Sequence, residues 1–217
     1  MNKTVLDNDP KEMSTLVLVP KGSDATDLLT CLIYRETRCN LFIHTRSKDT
    51  TLQIPVRHMS MWYNETIDLI NRLDPWNGGG LTKVLGQKIS IIDGCDQEFF
   101  DHPGFWSFHL YSKEFSHKLY YVTYIDTNQI LQLKSRTYNN VVITKDLVDS
   151  MESHQLESVG FCGDAILLMK QWPKKSKNWF FSVKFDKNHQ TILALDEKTG
   201  IFIKHTDRLV DVDFIFQ

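Results

Sequence analysis

The chain has 217 residues, 41% of them hydrophobic and 24% charged, with a formal net charge of −2. This balance excludes a disordered, collagen-like or coiled-coil chain, and it excludes a nucleic-acid binder driven by bulk charge. The length suits one large domain or two small ones.

No apolar run approaches the roughly 18 residues of a membrane span, so no membrane partner is expected. Residues 1–13 lack the basic start and apolar stretch of a signal peptide. Cys31, Cys39, Cys95 and Cys162 form no CxxC pair. They read as free thiols in a reducing compartment. The sequon Asn64-Glu65-Thr66 is then expected to stay unused.

In chain order, the first dozen residues suit a short leading helix. Thr15–Val19 is a β-branched run ended by the turn Pro20-Lys21-Gly22. Leu28–Tyr34, Asn40–His44, Thr51–Val56 and Thr66–Ile70 read as further strands. Asp74–Gly80 (DPWNGGG) is the strongest loop signal, and Lys88–Ile92 is again strand-like. Glu98–Lys118 is rich in aromatic residues and reads as a connection. A second run of strands is predicted at Lys118–Ile125, Gln129–Leu133, Val141–Thr144, Ala165–Met169, Trp179–Phe185 and Thr191–Leu195. Asp146–Gln155 suits one or two helical turns, and Asp207–Phe216 is strand-like or irregular. Short strands at even spacing argue for an all-β sandwich or barrel.

The sharpest local feature is Gly160-Phe161-Cys162-Gly163. A nucleophile needs a tight turn and backbone N–H groups aimed at a developing oxyanion. The N–H groups of Gly160 and Cys162 would supply that oxyanion hole. A thiol also needs a base, because it is largely protonated at neutral pH. His44 and His58 both end strand-like runs. Asp68 lies inside an apolar run, where an isolated carboxylate is costly without a partner.

The order His, then Asp, then Gly-x-Cys-Gly resembles the viral chymotrypsin-like cysteine proteinases, the picornain-type enzymes of positive-strand RNA viruses. The resemblance implies an all-β fold of two packed six-stranded antiparallel barrels. It divides the chain into an N-terminal barrel over 1–100, a connection over 101–117 and a C-terminal barrel over 118–217. It implies a cysteine endopeptidase in the host cell cytoplasm that processes a viral polyprotein. Cys162 is then the nucleophile, His44 the base and Asp68 the group that orients it, with no cofactor and no metal. His58 with Asp93 is the alternative base and acid. The family's pocket histidine has no match in Trp179–Phe185, so Lys184 or Ser182 stands nearest the substrate side chain. Some relatives bind RNA, and Lys174, Lys175 and Lys177 between Trp172 and Trp179 form the best basic-aromatic patch for weak RNA binding. The chain ends in Gln217, which matches the family's habit of cutting after Gln. The competing expectation is a non-catalytic β-rich viral binding or host-antagonist module on a decayed protease fold. A papain-like order, with His189 or His205 as base, is a further alternative.

Overall fold

The computed structural model describes residues 14–33, 41–46, 52–54, 58–63, 65–73, 89–105, 118–126, 138–172, 179–185, 190–196 and 202–206. Its strands are β1 (Ser14–Pro20), β2 (Leu41–Thr45), β3 (His58–Trp62), β4 (Ile89–Asp93), β5 (Lys118–Ile125), β6 (Asn140–Thr144), β7 (Trp179–Phe185), β8 (Gln190–Asp196) and β9 (Phe202–Thr206). Its helices are α1 (Thr26–Ile33), α2 (Thr66–Leu73), α3 (Gln97–Asp101), α4 (Lys145–Ser150), α5 (Ser153–Val159) and α6 (Gly163–Gln171). The strands form one sheet in the order β3-β2-β4-β5-β1-β6-β7-β8-β9. The architecture is therefore a mixed α/β sheet with helices, and the expected pair of all-β barrels is absent.

The chain divides into two compact units, residues 1–15 with 24–123 and residues 16–23 with 124–217. In the first unit β2 pairs in parallel with both β3 and β4, and β4 pairs in parallel with β5. Every residue of β2 and of β4 is buried. Parallel strands covered on both faces read as continuous apolar runs, which is how Leu41-Phe42-Ile43 and Ile91-Ile92 appear. The aromatic-rich connection begins as α3, whose N-cap Asp96 accepts from the Phe99 N–H at 3.0 Å. Phe99, Phe105 and Tyr121 meet edge-on or tilted at 5.4–5.9 Å, the separation at which aromatic quadrupoles attract. Gly104 packs so closely on α2 that a Cβ there would collide with Ile70 Cγ2.

In the second unit the pattern changes. β6, β7, β8 and β9 pair antiparallel in succession, with Ile143 opposite Phe181 and Phe181 opposite Ala194. Between β6 and β7 stand α4, α5 and α6. Thr144 caps α4 by accepting from the Leu147 N–H, and Glu152 with Gln155 closes a capping box on α5. Gly160 ends α5 at φ 105°, a left-handed conformation that glycine adopts without a Cβ clash. The ammonium of Lys145 is buried, paired with Asp149 and donating to the Lys170 carbonyl at 3.1 Å.

Three predicted strands are helices, and the reason is the same in each. Leu28–Tyr34 became α1, with Leu28, Leu29, Leu32 and Ile33 buried. Thr66–Ile70 opens α2, with Thr66, Leu69 and Ile70 buried while Ile67 is 42% exposed. Ala165–Met169 lies in α6, with Ala165, Ile166 and Met169 buried while Leu167 is 56% exposed. Burial at i, i+3 and i+4 is a helical stripe, and a short apolar run does not reveal that period by itself. Residues 52–54 of the predicted strand Thr51–Val56 lie in neither helix nor strand. The leading helix, the Asp74–Gly80 loop, Gln129–Leu133 and Asp207–Phe216 lie outside the described residues. No helix among the described residues is long and apolar enough to cross a membrane.

Candidate functional site

Ligands of parallel α/β sheets bind outside the carboxyl ends of the strands. In the first unit those ends carry a polar network. Thr45 closes β2 and its hydroxyl donates to the buried Asp93 carboxylate at 3.1 Å. Asp93 closes β4, and its carbonyl accepts from the Tyr63 hydroxyl at 2.8 Å. Burial, then the nearby Cys95, pushes the Tyr63 phenol far above its ordinary pKa. Cys95 is fully enclosed, donates to the Ile92 carbonyl at 3.2 Å, and is raised by that same burial and by Asp93. Arg46 pairs with Asp96 and lies 3.9 Å from Glu98. Partial burial works to lower the Arg46 pKa, but the Asp96 hydrogen bond and charge outweigh it and the guanidinium ends above its ordinary value.

The second feature is the entry to α1. β1 ends at Pro20, and the chain turns with Gly22 at φ 84°, where Ser23 donates through both N–H and hydroxyl to the Pro20 carbonyl. The helix begins three residues later. The Asp24 carboxylate accepts from the Thr26 N–H at 2.9 Å and from the Thr26 hydroxyl at 2.7 Å. The Thr26 hydroxyl in turn accepts from the Gln53 N–H at 3.3 Å. Ala25, directly before Thr26, is buried. A helix N-terminus carries partial positive charge and unpaired N–H groups that favour an anion. Here the anion is the chain's own side chain.

The residues expected from the protease resemblance fall elsewhere. His44 is buried in β2 and packs on the Phe42 ring at 4.6 Å, and Asp68 is exposed on α2. Both belong to the first unit, and Cys162 belongs to the second. Cys162 is exposed and N-caps α6. The two N–H groups expected to form an oxyanion hole are engaged. Gly160 donates to the Glu157 carbonyl at 2.8 Å and Cys162 donates to Gln190 Oε1 at 3.1 Å. Ser182 is buried and donates to Asn140 Oδ1 at 3.0 Å, and Lys184 pairs in register with Asn140. His58 opens β3 opposite Leu41, and Asp93 belongs to the network above. Lys174, Lys175 and Lys177 lie outside the described residues.

Neither a family model nor a curated protein matches the chain. Solved structures do. The genome packaging NTPase B204 from Sulfolobus turreted icosahedral virus 2, in complex with AMPPCP, superposes with a TM-score of 0.55 at 11% identity, covering 85% of this chain and 97% of that one. Its complex with ATP-gammaS gives 0.55 at 12% identity, over 91% and 98%. The DNA-packaging ATPase B204 from Sulfolobus turreted icosahedral virus gives 0.54 at 14% identity, over 90% and 97%. The chain thus shares the fold of these structures. This overturns the identification as a chymotrypsin-like cysteine proteinase, and with it the endopeptidase and polyprotein-processing assignment and the decayed-protease alternative.

In that fold the β1–α1 loop is of interest, a segment the sequence marks only by the turn Pro20-Lys21-Gly22. A phosphate-cradling loop follows a strand, opens a helix and reads G-x-x-x-x-G-K-[ST]. With Thr26 as its last position, the window here is Val19-Pro20-Lys21-Gly22-Ser23-Asp24-Ala25-Thr26. Both fixed glycines are replaced, by Val19 and Asp24, and the lysine is replaced by Ala25. No Gly-Lys pair occurs anywhere in the sequence. A nucleotide and its magnesium ion would need the Thr26 hydroxyl and the helix N–H groups. The Thr26 N–H and hydroxyl are engaged by Asp24, and the same hydroxyl accepts from Gln53. The residues present do not fit the nucleotide.

Proposed function

We propose that the protein is a nucleotide-silent counterpart of the packaging NTPases, serving as an assembly component of a packaging-type machine and not as its nucleotide-burning motor. The observation that carries this is the Asp24 carboxylate bound to the Thr26 N–H and hydroxyl. Two unit charges 4 Å apart repel by about 1 kcal/mol in water and about 4 kcal/mol at an effective dielectric of about 20. A phosphate at the first turn of α1 would meet that repulsion for each of its charges. It would also lack the lysine that pairs with the β- and γ-phosphates, because Ala25 stands there.

One observation favours a hydrolysing reading. Thr26 and Asp93 are the residue types that hold magnesium in such enzymes. Against it, the Thr26 hydroxyl is occupied on both its donor and acceptor sides. The test is calorimetric titration of the full chain with magnesium and ATP, alongside phosphate release. Neither heat of binding nor release above the buffer blank is expected. The double variant Asp24→Gly, Ala25→Lys removes one negative charge and adds one positive, and gains at least about tenfold in ATP affinity. Phosphate release by the unaltered chain that disappears in Thr26→Ala would overturn the proposal.

A further inference from the structure

We propose that residues 52–54 act as a strap that locks the first turn of α1 through a main-chain contact. This deepens the reading of the β1–α1 loop as nucleotide-silent and rests on it. Leu52 and Ile54 are 2% and 3% exposed, while Gln53 between them is exposed. Two buried apolar anchors therefore fix the backbone on either side of one amide. That amide donates to the Thr26 hydroxyl at 3.3 Å. The hydroxyl spends its single proton on Asp24 at 2.7 Å, so the strap and the carboxylate hold it from opposite chemical sides. A group that accepts from that hydroxyl in place of Asp24 must displace the carboxylate, and one that takes the lone pair facing Gln53 must displace the strap. The strap and the first turn of α1 form one coupled element, and loosening either loosens the other.

Amide hydrogen exchange on the full chain tests the strap without any ligand. Thr26→Val keeps the side-chain shape and removes the hydroxyl. The Gln53 amide then exchanges faster by up to about tenfold, as expected for one lost hydrogen bond. Thr26→Ser restores the hydroxyl and the protection. Unchanged Gln53 exchange in Thr26→Val overturns the strap. A second arm uses ATP on the Asp24→Gly, Ala25→Lys background. Adding Gln53→Pro, which deletes the donor N–H, raises ATP affinity by up to about tenfold. No gain there overturns the strap while the nucleotide-silent reading stands. ATP binding by the unaltered chain overturns that reading, and the exchange arm still decides the strap.

Discussion

Tyr63 and Cys95 sit with Asp93 beneath the carboxyl ends of β2 and β4, and their chemistry makes stability depend on alkaline pH. Both are neutral when protonated, and burial raises the pKa of each above its ordinary value, 10.0 for the phenol and 9.0 for the thiol. The folded state therefore binds the proton more tightly than the unfolded chain does. Their contribution is complete below pH 9 and is lost as pH rises, first through Cys95 and then, above pH 10, through Tyr63. Each such group removes up to about 1.4 kcal/mol of stability per pH unit in its window. Urea midpoints of the full chain should hold level to pH 9 and fall beyond it. Cys95→Ala should remove the part of the slope between pH 9 and 10, at the cost of a small constant loss. An identical slope in that variant would show that the buried thiol is not linked to unfolding. At this scale the sequence was partly legible. The sequence offers Asp93 only as the alternative protease acid, because nothing local shows the Thr45 and Tyr63 hydroxyls that meet it. Asp68 drew attention as a carboxylate in an apolar run, yet it stands on the exposed face of α2, where its charge is solvated.

The elements show why some segments could be read and others could not. β1, β2, β4, β5, β6, β7 and β8 coincide with predicted strands because β-branched runs bounded by turns have few other outcomes. α1, α2 and α6 were misread because helices of eight or nine residues leave only two turns of periodicity to detect. The Gly160–Gly163 turn, singled out for catalysis, has a structural account within the second unit. Gln190 clamps it from both sides, accepting from the Cys162 N–H at 3.1 Å and donating to the Gly160 carbonyl at 2.7 Å. Phe161 stacks on Phe185 beneath it, with ring centroids 6.0 Å apart. Gln190→Ala breaks both clamps and should cost about 1–3 kcal/mol in chemical denaturation. Cys162→Ser, at an exposed position, should stay within about 0.5 kcal/mol of the parent. If the cysteine substitution proved the more damaging of the two, the thiol and not the clamp would be holding the turn.

In the first unit β3-β2-β4-β5 pair in parallel, and in the second β6-β7-β8-β9 form an antiparallel ladder. The parallel half joins residues far apart in sequence, as where Thr45 meets Asp93. Such pairing needs long crossovers, and α2, between β3 and β4, is a helix of this kind. Reading such helices as strands left only hairpin connections available, so the resulting topology was a barrel. The missed helical period accounts for the expected all-β fold, whereas the protease expectation rests on the order of His, Asp and Gly-x-Cys-Gly. The strand order also fixes where the sheet is weakest. β3 and β9 end the row, while β4 has a neighbour on each side and every residue buried. Main-chain amides with partners on both flanks open only with larger units of structure, whereas edge strands fray. Peptide-resolved hydrogen exchange should therefore find β4 slowest and β3 and β9 fastest among the strands. If β9 were as protected as β4, its outer edge would be covered by a further strand, from this chain or another copy. In that case the order of nine would be a segment of a larger sheet, and a concentration series separates the two sources, because only a second copy makes the protection depend on protein concentration.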